Sequence, residues 1–336
     1  MKIVVGDRNV VPHRKQFEAG LPANAEVVWS VPFDEQDVIA HLHDADVYVG
    51  GKFSAAMGAA APRLRMVHVA GAGTDNVDRS GMRPDVQVCN TFHHEQSIAE
   101  YVVAATVMLR RKFLEQDRAL RSGLFATSVY DPTIPQPLSL SGARIGFVGF
   151  GHIGRQTWQL FRAYGATGAA VTGSGRASDE GLEWVSDAKD LGKLAEFADV
   201  LVVSAPLNEH TRGMIGAEEL RRLGSGGIVV NVGRGPLIQE QPLFDALSRN
   251  EIAAAAIDVW YSYPGPDGRG EPSSLPFREL ENVRRHASHV RRPGRRHRVE
   301  HQCTCRIDSP LNCVGRVLEP ELGCEAIPFA ITGDVR

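Results

Sequence analysis

Three glycines, an arginine and an aspartate stand in this chain at spacings suited to chemistry on a nucleotide and a small acid. Gly149, Gly151 and Gly154 form a G-x-G-x-x-G pattern within ARIGFVGFGHIGRQTWQLFRAYG. The pattern follows an apolar strand-like run and opens a helix, the setting in which it has physical meaning. Gly149 permits the tight turn, Gly151 lets the backbone approach a pyrophosphate, and Gly154 lets helix and strand pack closely. The amides and macrodipole of that first helical turn, which begins with His152 and Ile153, favour the phosphates. A dinucleotide is the expected ligand.

A NAD site carries an acid about twenty residues further on, at the end of the second strand, to hold the ribose 2′-hydroxyl. Here that strand ends GAAVTGSGRAS, with Thr172, Ser174 and Arg176 and no acid before Asp179. A missing carboxylate removes repulsion toward a 2′-phosphate, and the two hydroxyls with Arg176 offer it partners. NADP is therefore expected ahead of NAD. The plainer alternative makes Arg176 a solvated loop charge.

Arg234 comes just past IVVNV, and Asp258 just past AAAAI. Open α/β sheets bind their ligands at the carboxyl ends of strands, so both are candidate contacts. An arginine beside a nicotinamide clamps a carboxylate bidentately and polarises the neighbouring carbonyl.

The elements that must hold these residues are legible as alternation. MKIVVG, AEVVWSV, ADVYVGG and RMVHVAGAG read as strands. A second series follows: ARIGFVGFG, TGAAVTG, ADVLVVSAP, GGIVVNVG and AAAAIDVW. Helix-like segments separate them, and one apolar helix is expected over residues 97–123. Strand–helix alternation predicts α/β architecture with two doubly wound parallel-sheet domains.

Composition sets the outer limits. The chain has 336 residues, 43% of them apolar, and a net charge of −3. That balance gives no global reason to expect nucleic acid or an acidic membrane as partner. No run approaches the roughly 18 apolar residues of a membrane span, and MKIVVGDRN lacks the layout of a signal peptide. A cytoplasmic location is expected.

Six motifs in order resemble the D-isomer-specific 2-hydroxyacid dehydrogenases, which include glyoxylate/hydroxypyruvate reductases and phosphoglycerate dehydrogenases. They are AGAGTDNVD (70–78), HEQSIAEYVV (94–103), GFVGFGHIGR (146–155), ADVLVVSAPLNEHTRGMIG (198–216), VNVGRGPLI (230–238) and AIDVW (256–260). The resemblance implies hydride transfer between a nicotinamide and a small 2-oxo or D-2-hydroxy acid, by a homodimer. It also implies a flavodoxin-like substrate domain over 1–98 with 284–336 and a Rossmann dinucleotide domain over 99–283. Arg234 then matches the substrate-carboxylate arginine, and the backbone at Ala72 and Gly73 the loop that holds the same carboxylate. Asp258 matches the active-site aspartate. TGSGR is similar to the NADP-accepting members.

Three positions depart from the family pattern. Where the family has a glutamate turned toward its catalytic histidine, this chain has Tyr263, which supplies no carboxylate at neutral pH. Tyr263 either hydrogen-bonds the imidazole or packs in the cleft. Where the family often has a cleft asparagine, His94 stands as a candidate substrate contact. The catalytic histidine itself is expected six residues after Asn282, at Ser288; His289 is the nearest candidate and His286 the second.

From residue 284 the alternation fails. Residues 284–298 carry seven arginines and three histidines, and Cys303, Cys305, Cys313 and Cys324 follow. Cys303-Thr304-Cys305 has no standard zinc spacing, so no metal is expected. A shifted reading frame accounts for the break better: read one base later, codons for His286–His289 permit Thr-Pro-His at 286–288. The rival to an active enzyme is a catalytically impaired dinucleotide-binding protein, either a sensor or the product of such a shift.

Overall fold

Short β-branched runs flanked by glycine and helix-forming segments become parallel strands, because only a sheet covered on both faces buries them completely. The computed structural model of the chain describes residues 1–92, 94–177, 181–265 and 267–286. Asp179 and everything from 287 onward lie outside the described residues. That includes Ser288, His289, the cysteine-rich tail and nearly all of the proposed return segment 284–336. The described residues form two units, one within 1–92 and one within 94–286.

The first unit holds β1 (Lys2–Val5), β2 (Glu26–Trp29), β3 (Val47–Val49), β4 (Met66–Val69) and β5 (Gln87–Asn90). All pair in parallel, in the order β2-β1-β3-β4-β5, which is the flavodoxin-like order. Val4, Tyr48 and Val67 pack on one face; Ile3, Val5, Val47 and Val49 pack on the other.

The second unit holds β6 (Arg144–Val148), β7 (Thr167–Val171), β8 (Trp184–Ser186), β9 (Val200–Val203), β10 (Ile228–Asn231), β11 (Ala254–Ile257) and β12 (Val283–Arg285). They lie in the order β12-β11-β10-β9-β6-β7-β8. This is the Rossmann order extended by one strand, with its switch point between β6 and β9. Side chains alternate faces with period two. Leu201, Val229 and Ile257 enter one core, whereas Phe147, Val202 and Val230 enter the other with Trp158 and Phe161. The two-sheet α/β class is as expected.

Two local expectations are corrected. The helix over 97–123 is two helices, Glu95–Arg110 and Phe113–Arg121, broken where Lys112 takes a left-handed φ of 52°. No glycine or proline marks the break. The cause is a change of environment: the first helix buries Ile98, Val102, Ala105 and Leu109, while the second buries nothing. Arg110, at the end of the first, is buried and donates from Nε to the Ser139 carbonyl at 3.1 Å. The other correction is the three strands not foreseen, β5, β8 and β12, each an edge strand.

Candidate active site

The glycine turn follows β6. Gly149 has φ +87°, and a Cβ there would meet the Ala205 backbone nitrogen at 2.6 Å, past the end of β9. A Cβ on Gly154 would come within 3.0 Å of the Gly149 carbonyl, so helix and turn pack too closely for a side chain. Gly151 differs: nothing lies within 4 Å of its Cβ position. It caps the helix His152–Ala163 without a side-chain hydrogen bond, and no acid stands in the first turn. The amides of a first helical turn, a helix dipole with no acid beside it and open space at Gly151 fit the pyrophosphate of a dinucleotide.

At the end of β7 the hydroxyls turn inward. Thr172 Oγ1 accepts from the Arg176 amide at 3.1 Å and donates to its carbonyl at 3.0 Å, and Ser174 Oγ donates to that carbonyl at 3.3 Å. Gly175, with φ +66°, lets the loop close. Its polar groups are used in shaping the turn, and what it presents outward is the exposed Arg176.

Arg234 begins the loop after β10 and is half-buried, its Nη1 donating to the Gly233 carbonyl at 2.9 Å. Asn231, 2% exposed, holds that loop. Its Nδ2 donates to the Arg234 carbonyl at 3.0 Å, and its Oδ1 accepts from the Gly233 amide at 3.2 Å. The Asn231 carbonyl in turn accepts from the Asp258 amide at 3.1 Å, so one residue joins the arginine loop to the end of β11.

Beyond β11 a histidine meets the aspartate. Asp258 is buried, and its Oδ1 lies 2.7 Å from His286 Nδ1. Parallel register brings them together: Ile257 pairs with Arg285, so the next residues, Asp258 and His286, emerge side by side. The His286 amide donates to the Ile257 carbonyl at 2.9 Å, and Trp260 Nε1 donates to the His286 carbonyl at 3.0 Å. A carboxylate only accepts, so the pair puts the ring hydrogen on Nδ1 and leaves Nε2 for a substrate. The His286 side chain remains 49% exposed, against 3% for Asp258.

Tyr101, on the helix Glu95–Arg110, stacks on the imidazole with ring centroids 4.7 Å apart. Its hydroxyl is buried and without a hydrogen-bond partner among the described residues. Burial, reinforced by the Asp258 charge, pushes this phenol above its ordinary range. Tyr263 is 66% exposed and makes no hydrogen bond among the described residues, so the expected bond to the imidazole is not seen. The carboxylate that meets the imidazole is Asp258. His94 caps the helix Glu95–Arg110 through its backbone carbonyl and is half-buried.

In the first unit, the half-buried Ala72–Gly73 turn follows β4. Asn90 Nδ2 donates to the Ala72 carbonyl at 2.7 Å, and the Thr91 amide to the Gly71 carbonyl at 3.0 Å. These braces, like Asn231 and Tyr101, were not singled out in the sequence. Asn231 lies inside VNVGRGPLI and Tyr101 inside HEQSIAEYVV, but motif membership does not say which side chain supports which loop.

The chain matches the family described as D-isomer specific 2-hydroxyacid dehydrogenase, NAD binding domain, over residues 103–288. It is 30% identical over 260 residues to a glyoxylate reductase of Korarchaeum cryptofilum (strain OPF8), covering 75% of each chain. It is 32% identical over 257 residues to a D-3-phosphoglycerate dehydrogenase of Mycobacterium tuberculosis (strain ATCC 25618 / H37Rv). That match covers 74% of this chain but spans about half, 47%, of the relative. Among solved structures, an NADPH-dependent glyoxylate/hydroxypyruvate reductase from Sinorhizobium meliloti, in complex with NADP and sulfate, superposes with a TM-score of 0.71 at 23% identity. The superposition covers 85% of this chain and 87% of that one.

Proposed function

Because the chain belongs to the D-isomer specific 2-hydroxyacid dehydrogenases, a family of NAD(P)-dependent oxidoreductases, we propose that it reduces a small 2-oxo acid to its D-2-hydroxy acid. Glyoxylate and hydroxypyruvate are the first substrates to test. The observation that carries the reading is the 2.7 Å pairing of His286 with the buried Asp258 at a strand end, one residue removed from the arginine loop through Asn231.

A nicotinamide cofactor held at the glycine turn would supply the hydride. Arg234 holds the substrate carboxylate and polarises the adjacent carbonyl. His286 takes a second proton from solvent on Nε2, gives it to the oxygen as that oxygen becomes an alkoxide and is left neutral, while Asp258 stabilises the imidazolium through Nδ1 and holds its orientation. His286 therefore takes the role first expected of His289. In the first unit, the Ala72–Gly73 turn is assigned carboxylate binding through its amides. His94 is kept as a candidate substrate contact, while no role is proposed for Tyr263. Gly149, Gly151 and Gly154 hold the pyrophosphate with the first-turn amides of His152 and Ile153.

NADP is favoured over NAD because Arg176 is the charge presented past β7, while nearby Asp187 already caps the Lys189 amide at 2.9 Å. A cytoplasmic location suits a reductase drawing on soluble nucleotide. A homodimer is proposed through the exposed apolar side chains of and beyond the helix Phe113–Arg121: Phe113, Leu114, Leu120, Leu124, Phe125 and Tyr130. A patch of this kind marks a protein contact.

The test follows oxidation of NADPH and NADH with a panel of 2-oxo acids. Turnover with at least one acid, faster with NADPH, is expected. His286→Ala should lower kcat/KM about 100-fold or more while leaving NADPH affinity within about twofold. Fluorescence binding of NADPH with no oxidation by any acid would favour the impaired dinucleotide-binding protein instead.

A further inference from the structure

We propose that Tyr101 is a positioning residue for the reaction, its ring being the platform that sets the plane of the His286 imidazole. The proposal rests on the proton-donor role assigned above to His286. Asp258 grips only Nδ1, at 2.7 Å. The ring is carried on two side-chain torsions, and one hydrogen bond leaves them free to change together, a tilt that swings Nε2 away from any fixed substrate oxygen. The backbone bonds to Ile257 and Trp260 hold the His286 main chain but not its ring.

Tyr101 supplies the missing restraint. Its ring lies against the imidazole with centroids 4.7 Å apart and planes 23° apart, a stacked geometry. It projects from a helix whose neighbouring residues Ile98 and Val102 are buried in the core, so the platform itself is anchored. The same contact shields one imidazole face from water.

The hydroxyl takes no part in this. It is buried without a hydrogen-bond partner among the described residues, an arrangement that costs stability. Phenylalanine would offer the same face without that cost. What the ring contributes is therefore separable from what the oxygen contributes, and the experiment uses that separation.

Tyr101→Phe and Tyr101→Leu are compared in the full chain, with Tyr101→Met as a second ring-free variant should the leucine variant fold poorly. The ring-free variants should lower kcat about tenfold, the upper end of what an aromatic stack contributes. KM for the 2-oxo acid should stay within about twofold, because Arg234 is untouched. Tyr101→Phe should retain wild-type kcat. In the proton NMR spectrum the His286 Cε1 resonance, identified by its loss in His286→Ala, should move downfield in the ring-free variants and stay in place in Tyr101→Phe. Wild-type kcat in a folded ring-free variant overturns the proposal, and so does a Phe variant as slow as the Leu variant. If His286→Ala keeps wild-type turnover, the proton-donor reading itself fails. An inactive His286→Ala beside an unaffected Tyr101→Leu removes only the stacking role.

Discussion

The glycines of the phosphate turn do different work, and substitution separates their parts. Gly149 sits at φ +87° with the Ala205 backbone 2.6 Å from where a Cβ would stand. Alanine there must strain the turn or push β9 away, at about 1–3 kcal/mol. Gly151 has no such neighbour, so alanine fits the free protein and intrudes only on a ligand. Gly149→Ala should lower both Tm and NADPH affinity, whereas Gly151→Ala should keep Tm within about 1 °C and still weaken NADPH at least about tenfold. Thermal melts paired with fluorescence titration check this; a destabilised Gly151→Ala would contradict it. All three glycines were legible from spacing alone, because the turn they build is written in consecutive residues; that the Ala205 backbone closes on Gly149 was not. The support given by Asn231 and Tyr101 was not, since their partners come from other elements.

At the scale of elements, the switch point depends on how β6 and β9 are joined at their amino ends. Asp199 accepts from the Arg144 amide at 2.9 Å and from its guanidinium at 2.8 Å, and the Asp199 amide donates back to the Arg144 carbonyl at 2.8 Å. Partial burial alone would raise the Asp199 carboxyl, but the bonds from Arg144 outweigh it and hold the carboxyl below its ordinary value. A depressed carboxyl contributes stability that is present above the unfolded-state value and lost as pH falls through the folded-state value. Asp199→Asn should therefore be less stable than wild type at pH 7, by no more than about 1 kcal/mol because Arg144 is half in water. Denaturant melts from pH 7 down to pH 2.5 should show the gap narrowing below about pH 4. A gap that widens toward acid pH would refute the assignment. The central strands were plain in the sequence because they are buried on both faces. The edge strands β5, β8 and β12 are only partly buried, and their short runs carry no continuous apolar signal.

For the whole molecule, the helix proposed for the dimer contact and the proposed proton donor both adjoin β12. The helix Phe113–Arg121, whose apolar side chains are proposed for the dimer contact, is tied to that strand by Glu115–Arg284 at 2.5 Å and Arg118–Glu281 at 3.5 Å. The Leu120→Glu/Phe125→Asp pair removes two large apolar side chains, 50% and 58% exposed. Each contributes about 1.5–3 kcal/mol when covered, so dimer affinity should fall about 100-fold or more. Light scattering after size exclusion should find a dimer for the wild type and a monomer for the variant; a wild-type monomer would end the dimer proposal. Part of the basic run is thus structural, since Arg284 is an internal partner of Glu115 rather than a solvated charge. By itself the sequence determined the class of fold, the nucleotide turn and the positions of Arg234 and Asp258, because alternation, glycine spacing and strand ends are written in consecutive residues. That His286 lies beside Asp258 is visible only in three dimensions. That contact depends on the pairing of Ile257 with Arg285, and a slip of one residue along β12 would put a different side chain beside the carboxylate.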